Sequence, residues 1–317
     1  MKILHVSDLH YRESPETWTL LKEAARQFEV LRPDYILITG DLTNDGLDEQ
    51  FERVKRFVST LEDFCEVLLI PGNRDAARTI VPTATERSDL EYFLLTHPEP
   101  VNLMDEMETL ENVNRGRQGK FFDHFEATEF FYRDNGVAAV GVNSTPEITA
   151  RQMELAAQHF GKGQPGELRI FCAHHSFLPV PTKKLKPGDT VPRAADILQT
   201  LIELNVDLLC SGHIHRSHVW DLSDGRHRLL CCNAGSLLDS SGKKDNGYLE
   251  IDIGRDLHIT KHTLFSRRTE PLYHRLRFGE MLLARQQDGA SDGLMPSNDE
   301  KAVATGRTKA KKSKGKK

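Results

Sequence analysis

Apolar runs rich in β-branched residues alternate, through the first half of the chain, with longer segments whose apolar residues recur at three- and four-residue spacing. KILHVSD is followed by the amphipathic TWTLLKEAARQFEVL, then by YILITGD, EQFERVKRFVSTLE and VLLIPGN. The two periodicities predict strand, helix, strand, helix, strand. That order is the mark of right-handed βαβ units around a parallel sheet. A second series begins at VAAVGVN and runs through helix ITARQMELAAQHF, strand LRIFCAHH, helix AADILQTLIELN and strand VDLLCSGHIH. Beyond it the spacing shortens to that of hairpins, with SHVWDL, an Asp-Gly turn, HRLLCCNAGS, GYLEIDI and HITKHTLF. Two sheets packed face to face accommodate both halves, and no internal repeat is present.

Two stretches break the pattern. Residues 76–135 carry scattered helical pieces and a Phe-rich run, KFFDHFEATEFF, and read as an insertion or cap over a sheet edge. Within it, the stretch around 121–131 is a place to look for substrate contacts, although most of its rings suit a buried core. From about residue 285 the composition turns to Gly, Ser, Asp and Lys, which predicts a tail without fixed structure. Residues 1–284 therefore read as one α/β domain and 285–317 as a Lys-rich tail.

Composition narrows the classes. An apolar content of 38% over 317 residues supports a large core and excludes disorder of the whole chain. Cys65, Cys172, Cys210, Cys231 and Cys232 are odd in number and sit mostly inside apolar runs, as buried reduced thiols do. The start, MKILHVSD, has neither the charged opening nor the long apolar stretch of a signal peptide, and no segment has the length of a membrane span. A reduced, cytoplasmic protein is expected. The net charge is −5, but residues 307–317 hold seven basic residues and no acid, which leaves −12 on the rest. Such a body repels nucleic acid, whereas the tail offers contact to a polyanion.

The chemistry lies at the strand ends. Each predicted strand of the βαβ series stops at a polar residue: Asp8-x-His10, Asp41, Asn73, His174-His175 and His213-x-His215. In parallel sheets the carboxyl ends of the strands are where ligands bind. Carboxylates, imidazoles and one amide oxygen are ligands for mid-series divalent metals. A lone D-x-H or H-x-H is more often an ordinary structural pair, but five such pieces after five strands meet at one rim. They are too many for one ion, and suit two that share a carboxylate. Asp41-x-Thr43-x-Asp45-Gly46 with Glu52 has nearly the spacing of a calcium loop. That loop needs a helix before it, and YILITG reads as a strand. GKGQPG lacks the spacing of a phosphate-cradling loop and reads as a turn.

The ordered set Asp8-x-His10, Gly40-Asp41, Gly72-Asn73, His174 and Gly212-His213-x-His215 resembles the motifs of the calcineurin-like metallophosphoesterase superfamily, and spans residues 8–215. VNST and NAGS resemble its cyclic-nucleotide phosphodiesterase-like branch. The resemblance implies a four-layer αββα sandwich, with two mixed β-sheets flanked by helices. It implies two divalent metal ions, manganese, iron or zinc, with Asp8, His10 and His215 on the first, Asn73, His174 and His213 on the second, and Asp41 bridging. His174 rather than His175 fills the family position. The activity implied is hydrolysis of a small phosphoester by in-line attack of a metal-bridging hydroxide. A nucleotide-type phosphodiester leads, with phosphomonoesters and phosphoanhydrides as further substrates.

One residue departs from the pattern. The superfamily usually places a histidine, its general acid, after the motif asparagine; here the residue is Arg74, in LLIPGNRD. Arginine does not release its proton near neutral pH but binds phosphate oxygens in pairs. Arg74 is therefore expected to clamp the phosphate or stabilise charge, and His175 is the candidate proton source. GNRD is typical of the UDP-2,3-diacylglucosamine hydrolases, which cleave a pyrophosphate, although the remainder of the chain does not resemble them. MKILHVSDLH resembles the opening of the superfamily's double-strand-break repair exonucleases, which keeps a nuclease acting on DNA or RNA as the alternative. A non-catalytic scaffold of the same fold is a lesser one.

Overall fold

Seventeen elements run in order among the described residues: β1 (Lys2–Val6), α1 (Pro15–Leu31), β2 (Tyr35–Thr39), α2 (Asp48–Glu62), β3 (Glu66–Ile70), α3 (Gly119–Phe125), β4 (Phe130–Asp134), β5 (Val137–Val142), α4 (Ala150–Gly161), β6 (Leu168–Ala173), α5 (Ala194–Glu203), β7 (Leu208–Ser211), β8 (His218–Ser223), β9 (Arg228–Asn233), β10 (Gly247–Ile253), β11 (Leu257–Thr263) and β12 (Thr269–Arg275). They are seen in a computed structural model, which describes residues 1–75, 119–181, 183–186, 188–225, 227–238, 246–283 and 285. Residues 286–317 of the expected tail and residues 76–118 of the expected insertion lie outside the described residues, while Arg285, the first of the tail, pairs with Asp207.

The strands form two six-stranded mixed sheets, in the orders β12-β11-β10-β1-β2-β3 and β4-β5-β6-β7-β9-β8. In the first, β1, β2 and β3 are parallel and β10, β11 and β12 extend them antiparallel. In the second, β5, β6, β7 and β9 are parallel between the antiparallel edges β4 and β8. Strands buried on both faces must be apolar throughout, which is why β1, β2 and β5 read as continuous runs. Ile3, Leu37, Ile170, Cys210 and Ile251 fill the space between the sheets. Leu4, Val6, Ile36 and Ile38 face outward onto Leu21, Phe28, Phe51 and Phe57 of α1 and α2. Val140, Phe171 and Leu209 face outward onto Ala156, Phe160 and Leu201 of α4 and α5. The layers run helix, sheet, sheet, helix, as expected.

Local signals set the helix starts. Ser14 caps α1 by accepting from the Thr17 N–H, with Pro15 in the first turn. Thr149 and Gln152 form a reciprocal capping box on α4.

Three elements were not predicted. The Phe-rich run divides: α3 packs Phe121 on Phe51 and Phe125, and Phe130–Asp134 is an edge strand paired with β5. Residues 119–134 therefore belong to the layers rather than to a cap above them. β12 was concealed by Pro271, which sits beside a register shift opposite Thr260 on the sheet's edge, where proline is tolerated.

Phe121 is fully buried. Phe121→Ala is expected to cost about 3–5 kcal/mol in urea denaturation, with the KM of the folded fraction unchanged; a raised KM would place this ring at the substrate instead.

Candidate metal centre

All the strand-end ligands converge on one rim, where β1, β2 and β3 of the first sheet meet β6 and β7 of the second. The chain leaves these strands by unusual backbone. Asp8, His10, Asp41, His213 and His215 all have left-handed φ, between 45° and 67°, which costs a non-glycine residue about 1–3 kcal/mol. In Asp8-x-His10 and His213-x-His215 this turns both flanking side chains toward the rim and buries the middle residues, Leu9 and Ile214. The motif glycines admit the close approach. A Cβ on Gly212 would lie 1.8 Å from Ser7 Oγ, and one on Gly72 would lie 2.3 Å from Asp41 Oδ1.

Two triads result, Asp8 with His10 and His215, and Asp41 with His174 and His213. In the first, His215 Nε2 lies 3.0 Å from Asp8 Oδ1 and 2.9 Å from His10 Nε2. Asp8 Oδ1 is nevertheless buried without a hydrogen bond, while its Oδ2 accepts from the His213 N–H at 2.8 Å. In the second, His174 Nδ1 lies 2.8 Å from the Thr39 carbonyl. A carbonyl only accepts, so Nδ1 carries the hydrogen and Nε2 presents its lone pair. That lone pair faces Asn73 Oδ1 at 3.1 Å and Asp41 Oδ1 at 3.4 Å. His213 Nδ1 is 3.0 Å from the same Asn73 oxygen. Carboxylate, amide and imidazole atoms gathered in this way are a donor set that fits divalent metal. Asp41 belongs to both groups, with Oδ2 3.6 Å from His10 Nε2 and Oδ1 toward His174.

The electrostatics agree. Burial opposes ionisation of Asp8 and Asp41, yet the neighbouring imidazoles, His215 and His174 respectively, hold both carboxyls below the usual range. Burial also opposes a charge on His174, but Asp41 overrides it and pushes the imidazole up from its usual 6.5 to about 9. In metal-free protein a proton thus stands where the second ion would bind.

The turn after β3 divides three tasks among consecutive residues. Asn73 faces the triad. Arg74 is exposed, and its backbone N–H donates to Asp41 Oδ1 at 2.7 Å. Asp75 points inward, fully buried. Its carboxylate accepts from the Gly72, Leu42 and Thr43 N–H groups at 2.8, 3.0 and 2.8 Å and from Thr43 Oγ1 at 3.0 Å. Asp75 therefore ties the Asn73 turn to the Asp41 loop; burial, then Asp41, pushes its pKa up to about 6. The hydroxyl of Thr43 is consumed here, and the loop follows β2, so no calcium loop forms.

Other supports escaped sequence reasoning. Ser236 Oγ donates to the Asp8 carbonyl and Asn233 Nδ2 to the Arg216 carbonyl, both at 2.8 Å, so NAGS buttresses the flanking loops. Asp189 Oδ1 stands 3.8 Å from His213 Nε2. His175 takes a different place from the one expected of a proton source. Its Nδ1 is 2.9 Å from Ser144 Oγ of VNST, and its ring packs on those of His213 and His174. Burial, reinforced by those two histidines, drives it down to about 3. It is absent from the walls of the cleft above the triads, which holds about 420 Å³ and is lined by Arg74, Lys183, Lys186 and Arg216 alongside the ligands.

The family model described as calcineurin-like phosphoesterase matches residues 1–217. The chain belongs to the calcineurin-like phosphoesterases. Both triads lie within the matched residues. Its fold is similar to that of the purple acid phosphatase of yellow lupin seeds, with a TM-score of 0.58 at 10% identity. That match covers 96% of this chain and 57% of the lupin chain, so this phosphoesterase spans little more than half the length of that relative. A dimetal phosphatase from Danio rerio matches with a TM-score of 0.53 at 11% identity, over 86% of this chain and 99% of its own. GAP50, the anchor in the inner membrane complex of Plasmodium, matches with a TM-score of 0.51 at 12% identity, over 90% and 94%. No curated protein matches the chain in sequence.

Two predictions follow from the centre. Asp75→Ala leaves three buried N–H groups without a partner, and is expected to lose at least about 3 kcal/mol of stability together with metal occupancy, read by denaturation and metal analysis. Separately, the His174–Asp41 pair stabilises metal-free protein fully below pH 6.5 and ceases to do so as pH rises through about 9. Titrating chelator-treated protein with Mn²⁺ near pH 7.5 should release a proton that His174→Ala does not release.

Proposed function

We propose that this phosphoesterase hydrolyses a small nucleotide-type phosphodiester by direct in-line displacement, without a phosphorylated enzyme intermediate. The observation that carries this is Asp41, whose two oxygens face separate ligand triads on the floor of a cleft with a cationic rim. When bound, two divalent ions such as manganese, iron or zinc supply Lewis acidity and an activated water. Asp8, His10 and His215 would hold one ion, Asn73, His174 and His213 the other, and Asp41 both.

The protein's own groups select and orient the substrate. Arg74 reaches the cleft from a turn pinned on both sides, by its own N–H to Asp41 and by buried Asp75. Its guanidinium is suited to a paired contact with the non-bridging phosphate oxygens. Lys183, Lys186 and Arg216 add positive charge beyond what one phosphodiester requires, which favours a substrate with a further anionic group. Neither Arg74 nor the neutral, inward His175 is placed to protonate a leaving oxygen. The same rim therefore favours a second reading, cleavage of a nucleotide phosphoanhydride, whose departing phosphate needs no proton. A reducing, cytoplasmic location accompanies the proposal, supported by four buried unpaired thiols. Contact with nucleic acid through residues 307–317 rests on their charge alone.

A Mn-loaded preparation assayed on bis-p-nitrophenyl phosphate, cyclic AMP and a nucleotide-sugar pyrophosphate tests this. Arg74→Ala should lower kcat/KM by about 10- to 100-fold, the worth of a charge-assisted contact. Arg74→His should raise the rate on poor-leaving-group esters; a lower rate would refute the missing-acid account. Stoichiometric metal with no hydrolysis of any member of the panel would favour a non-catalytic scaffold.

A further inference from the structure

At the far end of the first sheet the described residues bring together another set of metal-ligating side chains, remote in sequence from the dinuclear centre. Asp256 lies in the turn between β10 and β11, His258 on β11 and His274 on β12. The two histidines are directly opposed across the antiparallel pair. Their rings stack with centroids 4.3 Å apart and planes 14° apart. Asp256 Oδ2 lies 3.7 Å from His274 Nε2. One ligand atom from each of the three residues falls within 4.8 Å of the others.

The arrangement is held in place by packing on the opposite face. Leu257 and Ile259 are fully buried between the sheets and Tyr273 packs against the same core, so alternation along each strand turns His258 and His274 outward. Asp256 Oδ1 accepts the Arg277 N–H at 2.8 Å, which orients the carboxylate and leaves Oδ2 toward the rings. The nearest guanidinium groups are directed elsewhere: Arg255 Nε is 2.9 Å and Arg277 Nε 3.7 Å from Glu280. Two imidazoles and one carboxylate on a partly exposed surface are a ligand set for zinc or copper, with coordination positions left for water.

We propose that Asp256, His258 and His274 form a third, mononuclear site for a borderline transition-metal ion, Zn²⁺ or Cu²⁺, which clips edge strand β12 to β11 and to the turn that precedes it. A site of this kind acts on the stability of the sheet edge and takes no part in the hydrolysis.

The test uses the untagged full-length chain and counts metal after exposure to excess Zn²⁺ and desalting. The wild type should retain three equivalents, and His258→Gln and His274→Gln two each, with unchanged hydrolysis of bis-p-nitrophenyl phosphate after Mn loading. Cu²⁺ added in one equivalent to Mn-loaded wild type should show nitrogen hyperfine coupling in its electron paramagnetic resonance spectrum, lost in both variants. A wild type that retains only two equivalents, or variants that keep the third and its nitrogen coupling, would overturn the proposal. Circular dichroism of the variants, expected to match the wild type, separates site loss from misfolding; because both side chains are at the surface, a folded variant that still binds three ions decides against it.

Discussion

Carboxylate, amide and imidazole atoms held face to face at hydrogen-bonding distance around one rim are the constraint on which this molecule is organised. Asp8 Oδ1 and the Nε2 atoms of His10 and His215 form one such group, and Asn73 Oδ1, His174 Nε2 and His213 Nδ1 another. Left alone these contacts are repulsive, and they relax only around positive charge. The protein nevertheless enforces them, and at Asp8 and His174 it commits the other polar atom to a fixed partner. Asp8 Oδ2 is occupied by the His213 N–H and His174 Nδ1 by the Thr39 carbonyl. What is left over at each residue is the atom that faces a metal.

Holding that geometry requires rigid walls, and the four layers provide them. Left-handed backbone at five ligand positions is tolerated because the residues between them, Leu9 and Ile214, are buried and the strands before them are packed on both faces. Contacts also cross between the sheets at the rim. His174 Nδ1–H donates to the Thr39 carbonyl and the Leu237 N–H to the Ser7 carbonyl. Strain at the site is thus carried by a core in which each residue has little room to move. The unusual backbone is a property of the fold as a whole rather than of the loops that display it.

This division explains what could be read from the sequence. Ligand positions were legible because each is a polar residue that interrupts an apolar run at a strand end, and the layer order was legible because doubly buried strands lack alternation. Asp75 was not, since a carboxylate after Pro-Gly-Asn-Arg looks like an ordinary turn residue until three amides from two loops are seen to converge on it. Asp189 was silent for the same reason, and Ser144 and Ser236 showed only as parts of VNST and NAGS, because the partners that give them their roles are distant in sequence. His175 shows the converse. Adjacent to a ligand in sequence, it packs its ring on those of His174 and His213 and is held by Ser144, a contact that its position beside His174 does not reveal. Edge strands β4 and β12 were missed because one side of each is unpaired, where exposed Phe131 and Pro271 are tolerated.

The turn after β3 shows how reaction class and substrate preference are separated in one short segment. Asn73 and Asp75 are constrained from both sides, by the ligand group and by the buried amides, so neither can change without disturbing Asp41. Arg74 between them is constrained only through its backbone, by the N–H that reaches Asp41. Any residue other than proline can make that bond. The side chain at this position is therefore free to vary without loss of the triad geometry, and it lines the cleft above the triads. A histidine there would equip the site for alkoxide leaving groups, whereas arginine equips it for charge. The departure from the family motif falls at the position where the fold permits a change of side chain without disturbing either triad.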